Sequence, residues 1–139
     1  MSLARICILL SISLLLISPH QAHAKESNLA NLEKAKIDFL ILRIEESKLC
    51  FIRNGKEYNS KQAAKHLKKK LSWARKNFFR SKDITAEEFI DEIASRSSIT
   101  KEEYLLRTLD AKTITVKEWL KKELKLFPKQ KALNAFHQD

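Results

Sequence analysis

The chain has 139 residues, with 27 Lys and Arg against 17 Asp and Glu, a formal net charge of +10 and a single glycine. Phosphate-cradling loops, dinucleotide fingerprints and the nucleophile elbow each need two or more glycines at fixed spacing, because their backbones adopt positive φ or approach a ligand closely; one glycine excludes them all. The positive excess points to anionic partners such as lipid head groups, lipopolysaccharide phosphates or acidic wall polymers, against the alternative of a lysine-rich surface that serves solubility alone.

The N-terminus reads MSLARICILLSISLLLISPHQAHA. Arg5 precedes an apolar and serine run over 6–17, and Ala22-His23-Ala24 supplies an A-x-A cleavage pattern, the composition of a secretory signal peptide. A membrane span needs about 20 apolar residues, whereas this run stops short of Pro19. Residues 1–24 are therefore expected to be removed after Ala24, leaving a soluble periplasmic protein with a net charge of about +9. Residues 25–127 are expected to form one globular domain, with 128–139 as a C-terminal tail. Cys7 leaves with the leader, so Cys50 is alone in an exported chain; no intrachain disulfide can form, and burial is its expected state. His66 and His137 are the histidines that remain, too few with Cys50 for a four-ligand zinc site. No EF-hand loop and no cofactor pattern is present.

The first element is a helix over 29–48 with two apolar stripes. Ile37, Leu40, Ile41 and Ile44 form one; Leu32, Ala35, Phe39 and Leu42 form another, turned well away from it. The second is expected to be sandwiched between layers, the alternative being a homo-oligomer formed through Leu32, Phe39 and Leu42. In CFIRNGKEY, Asn54-Gly55 lies between two β-prone runs, and a two-residue type I′ loop needs φ > 0 at both central positions, which Asn and Gly tolerate best. A hairpin is predicted over 49–59, with strands 50–53 and 56–58.

A second helix follows over 60–79, with Ser60 as N-cap and Ala63, Ala64, Leu67, Leu71, Ala74 and Phe78 on one face. Lys65, Lys68, Lys69, Arg75 and Lys76 spread over the opposite side with Trp73 on the flank, the composition of a helix that lies on an anionic surface. Thr85 with Glu88, and Thr115 with Glu118, form capping boxes that open two further helices. The last of these runs through Phe127 to a stop at Pro128. Between them YLLRTLDAKTIT is expected to add one or two strands, since an isolated hairpin is marginal. The fold class is α+β, about four helices packed on a small antiparallel sheet that contains the Asn-Gly hairpin.

The runs C-F-I-R-N-G-K-E-Y, A-A-K-H-L-K-K-K and E-E-F-I-D-E-I-A-S-R-S-S, with a later E-W-L, resemble the YfeK-like family of small exported bacterial proteins, a domain of unknown function. The resemblance covers about residues 36–124 and implies a periplasmic single-domain protein with no established activity. Its characteristic positions fall on Phe51, Arg53, Asn54, Gly55, Ala64, His66, Leu67, Lys70, Phe89, Ala94, Ser95, Ser97, Ser98 and Tyr104. The family pattern has a glycine shortly after the serine cluster, where this chain reads Ile99-Thr100-Lys101-Glu102-Glu103.

Arg53, His66, Lys70 and the serines Ser95, Ser97 and Ser98 form a candidate polar cluster around the hairpin, with Arg53 and His66 expected to tie hairpin to helix by hydrogen bonds. Lys65, Lys68, Lys69, Arg75 and Lys76 are the candidate anion-binding residues. The function these features favour is that of a non-catalytic envelope accessory or binding protein for anionic or protein partners. Nucleic acid is disfavoured, because the aromatic interleaving of single-strand binders is missing. The competing class is a small hydrolase-like enzyme that uses His66 with Cys50 or a nearby serine.

Overall fold

The structure, a computed structural model, describes residues 19–78 and 83–128. Residues 1–18 of the expected leader and 129–139 of the expected tail lie outside the described residues. Helix α1 spans Pro19–Glu46, starting ten residues before the predicted position and running through Ala22-His23-Ala24. No helix among the described residues is long and apolar enough to cross a membrane.

The sheet has four antiparallel strands in the order β2-β1-β3-β4, where β1 is Cys50–Arg53, β2 Lys56–Asn59, β3 Leu105–Arg107 and β4 Thr113–Thr115. Arg53 stands opposite Lys56 across the turn, with φ 49 at Asn54 and φ 70 at Gly55. The register aligns Tyr58, Phe51, Leu106 and Ile114 across the four strands. Because side chains alternate along a strand, these four share one face with Arg53. Phe51 and Leu106 are buried there under the helices. The other face carries Cys50, Ile52, Glu57, Leu105 and Arg107 and is only partly covered, the usual state of one side of an antiparallel sheet.

Helix α2 is Ser60–Asn77 and buries Ala64, Leu67, Leu71 and Ala74, whereas Phe78 at its C-cap is exposed rather than on the core face. Its N-cap is Asn59 and not Ser60. The Asn59 side chain accepts from Gln62 N at 2.9 Å while Gln62 Oε1 accepts from Asn59 N at 3.0 Å. Placed one position earlier, the cap leaves Ser60 as the buried first residue of the helix.

Thr85 and Thr115 form the expected boxes with Glu88 and Glu118. After the first box, however, only one α turn forms, α3 (Ala86–Glu88), and the chain continues as a π-helix over Phe89–Ala94. The Ser95 hydroxyl donates to the carbonyl of Ile90, a five-residue step that matches π rather than α spacing. The wider turn keeps Phe89, Ile90, Ile93 and Ala94 all in the core.

Helix α4 is Val116–Leu124 and ends before Pro128. Lys125 N and Leu126 N donate back three residues to Lys122 O and Glu123 O, tightening the last turn. Phe127 leaves the helix and packs edge-on against Phe39 at 5.5 Å between ring centroids.

One core joins these parts. Ile37, Leu40, Ile41 and Ile44 of α1 are buried in one cluster, with α1 packed on α2, α3 and α4. Polar ties fix the layers: Arg43 Nε donates to Glu123 Oε2 at 2.6 Å, Ala86 N donates to Glu33 Oε2 at 2.7 Å, and Lys117 pairs with Asp91 at 2.8 Å. The second stripe of α1 is not sandwiched. Ala35 and Leu42 are exposed, Leu32 and Phe39 half-buried, and Phe127 is the aromatic that leans on them. The four helices bury their strongest stripes against one another and the sheet, and among the described residues no further element covers this side.

Candidate functional site

The site lies where the N-terminal half of α2 crosses the edge of the sheet. Strand alternation turns Arg53 to the same side as Phe51, and Tyr58, opposite Phe51, follows it. The Arg53 guanidinium lies over the Tyr58 ring, 4.8 Å from its centroid, and Nη2 donates to Tyr58 Oη at 3.2 Å. Nη1 meets His66 Nδ1 at 2.7 Å. Arginine has only donors, so Nδ1 accepts, His66 is neutral and its proton sits on Nε2, which donates to Tyr104 Oη at 3.4 Å. Lys70, one turn beyond His66, is bound to the Arg96 carbonyl, with Nζ 5.1 Å from the centre of the Tyr104 ring.

Arg53, Tyr58, His66 and Tyr104 rim a cavity of about 270 Å³. Phe51, Leu67, Ala94 and Val116 supply its apolar walls; Arg53, His66, Tyr58 and Tyr104 supply the polar side, with Lys65 and Lys69 at the mouth. No Asp or Glu lines it. Among the described residues no carboxylate pairs with Arg53, Lys65, Lys69 or Lys70.

The electrostatics follow from that imbalance. Burial and then the charges of Arg53, Lys70 and Lys69 push His66 down to about 4. Burial and then Lys101, Arg53 and Arg96 push Lys70 down to about 8. Burial raises the Tyr104 phenol above its ordinary value, against the pull of Arg53 and Ser97. Cations crowded without a counter-ion favour binding of an anion, which restores the charged forms.

The structure divides the sequence-derived cluster. Arg53 and His66 meet as expected, and Lys70 joins them through the Tyr104 ring. Ser95 and Ser98 do not converge on them, and Ser97 reaches only Tyr104. Ser95 is buried and committed to Ile90; the buried Ser97 hydroxyl accepts from Ile99 N and Thr100 N, holding the 97–101 turn; Ser98 is exposed in a separate cleft beside Trp73.

Nor does the basic side of α2 act as one face. Lys65 and Lys69 stand at the pocket, while Lys68 pairs with Glu45 of α1 at 2.7 Å and Arg75 and Lys76 line a groove shared with Asp38 and Glu45. Cys50 is half-buried, not buried, and lies on the opposite face of the sheet from Arg53. Burial and the adjacent Glu57 raise its thiol above the ordinary value. The sheet thus separates Cys50 from His66, and a thiol–imidazole pair is not formed.

Reading the residues alone passed over Tyr58 and Tyr104. Tyr104 was marked by the family resemblance, and Tyr58 had a signal of its own: two-residue alternation places it across from Phe51.

The fold and site define a small α+β domain with a cationic, part-apolar pocket clasped between a helix and a hairpin. The chain belongs to the family of unknown function DUF5329, whose profile matches residues 31–128. It is similar to the uncharacterized protein YfeK of Salmonella typhimurium, 41% identical over 69 residues, which cover 49% of this chain and 53% of that protein. The match therefore spans about half the length of the curated relative. No solved structure matches this chain.

Proposed function

We propose that the protein is a non-catalytic binding protein of the bacterial envelope, exported through its leader, whose Arg53–His66 pocket holds a small anion with an apolar body. The observation that carries this reading is the pairing of two unmatched features: a guanidinium, an imidazole and two phenols on one side of the cavity, with two lysines at its mouth and no acid, and hydrocarbon on the other. Pockets of a few hundred Å³ with few polar groups and apolar walls are the usual form of small-molecule sites. The signal-peptide pattern over 1–24 supports the periplasmic address.

The hydroxyls and thiol nearby support binding over catalysis. Ser95 and Ser97 are engaged in backbone contacts, Cys50 lies across the sheet, and neutral His66 already accepts from Arg53. Among the described residues no serine or cysteine is left beside an imidazole that could activate it.

Thermal denaturation and calorimetry with octanoate, octyl phosphate and the neutral octanol test this. The anions should raise the melting temperature and bind; octanol should not. A charge-assisted hydrogen bond contributes about 1.5–3 kcal/mol, so Arg53→Gln should weaken anion binding by about tenfold or more. Equal binding of octanol, or anion binding unchanged in Arg53→Gln, overturns the reading.

A further inference from the structure

We propose that the C-terminal end of α2, with the adjoining 97–101 turn, docks the protein onto an anionic lipid bilayer by inserting Trp73 and Phe78. This goes beyond the pocket reading and does not rest on it. Trp73 is 51% exposed, Phe78 70% and Ile99 91%. The two rings pack edge-on against each other at 5.2 Å between centroids, outside the core cluster. Ser98 and Lys101, close to Ile99 in the chain, line the same cleft as Trp73 and Phe78, so the three apolar side chains belong to one end of the molecule. Scattered exposed apolar residues need no explanation; a tryptophan, a phenylalanine and an isoleucine gathered there do.

The charge on the helix that carries the two rings is one-sided. Helix α2 contains Lys61, Lys65, Lys68, Lys69, Lys70, Arg75 and Lys76 and no acidic residue. Lys69 precedes Trp73 by one turn, and Lys101 faces it from the neighbouring turn. Glu92, the acid in that cleft, is held in an ion pair with Arg96 at 3.5 Å, and Glu102 and Glu103 follow the turn at exposed positions. Tryptophan at the hydrocarbon boundary, flanked by lysines among anionic head groups, is the arrangement by which basic amphipathic helices lie on a membrane. Charge complementarity selects an anionic bilayer. A folded partner would need an interface of about 1,200–2,000 Å², far more than three side chains at a helix end provide.

In the full chain carrying Trp119→Phe, Trp73 is the sole tryptophan, so its emission reports its own depth. With vesicles of phosphatidylglycerol the emission should shift to the blue and be quenched by bromine on the acyl chains; with phosphatidylcholine vesicles it should do neither, even if the leader tethers the chain. Each lysine near an anionic surface contributes about fivefold to partitioning, so Lys69→Gln with Lys101→Gln should weaken it about 30-fold. Because Trp119 packs against Phe51, Phe78→Ser in the otherwise unaltered chain provides a second variant, and it should weaken binding while leaving the melting temperature unchanged. Unaltered Trp73 emission on phosphatidylglycerol, equal quenching on phosphatidylcholine, or an undiminished response in the double lysine variant overturns the proposal. Loss of octanoate binding alone leaves these outcomes as they are, and refutes only the pocket.

Discussion

Replacing Arg53 with Gln should raise the titration midpoint of His66 from about 4 by roughly one pH unit. Burial, the larger cause of the depression, survives this change; the guanidinium charge, the next cause, does not. With Nη1 and Nδ1 2.7 Å apart, the two charge centres lie roughly 4 Å apart, where unit charges repel by about 1 kcal/mol in water and about 4 kcal/mol at an effective dielectric near 20. The half-open pocket places the pair toward the screened end of that range, and about 1.4 kcal/mol corresponds to one unit.

Long-range proton–nitrogen NMR of the imidazole, with His66→Gln to assign it, reads both the midpoint and the tautomer, which should carry its proton on Nε2. The same shift sets a pH dependence. Between about 4 and the unfolded value of about 6.5 the unfolded chain binds the additional proton, so unfolding free energy rises with pH across that window. The contribution is complete above the unfolded value and is lost as pH falls through the folded one; Arg53→Gln should narrow the window from below. A wild-type midpoint near 6.5, or one unmoved in Arg53→Gln, would refute the electrostatic account of the pocket.

Chemical denaturation checks two further expectations. Gly55 has φ 70 and open space around the position of a Cβ, so Gly55→Ala should cost about 1–2 kcal/mol from backbone strain alone, while Lys101→Gly, at φ 63, should recover up to about 1 kcal/mol. Glu123 is the buried member of its pair with Arg43. Arg43→Leu, which strands the carboxylate, should therefore destabilise more than Glu123→Leu, by about 1–3 kcal/mol.

What could be seen in the sequence is what is decided within a few residues. The hairpin at Asn54-Gly55 follows from a local demand for positive φ, and the Thr85 and Thr115 boxes from a reach of three residues. The Ile37–Ile44 stripe follows from helical period. Where two local choices compete, tertiary contact decides: Asn59 and Ser60 are both good caps, and the strand register gives the role to Asn59. Helix α4 stops at Leu124 because Phe127 finds Phe39, a partner more than eighty positions away. The pocket was half legible for the same reason. Arg53 and His66 flank one turn and meet across it, whereas Tyr58 and Tyr104 arrive through strand pairing. The missing family glycine also finds its place: Lys101 holds the left-handed conformation in the turn after the serines, and the turn closes through Ser97 N to Glu102 O at 2.9 Å without it.

The π-helix at Phe89–Ala94 makes the length of this stretch as consequential as its composition. Each π turn accommodates a residue more than its α counterpart, so removing a single amino acid here would let the segment relax into an ordinary helix. Closing the same six residues into α turns without that removal would instead rotate everything downstream by roughly 100°: Ala94 would leave the cavity wall, and Ser95 would no longer meet the amide of Tyr104, to which its carbonyl now bonds at 2.7 Å. The phenol beside His66 is thus set in place by the wider turn of a helix on the far side of the cavity, and losing that turn at constant length would empty the site of its second ring.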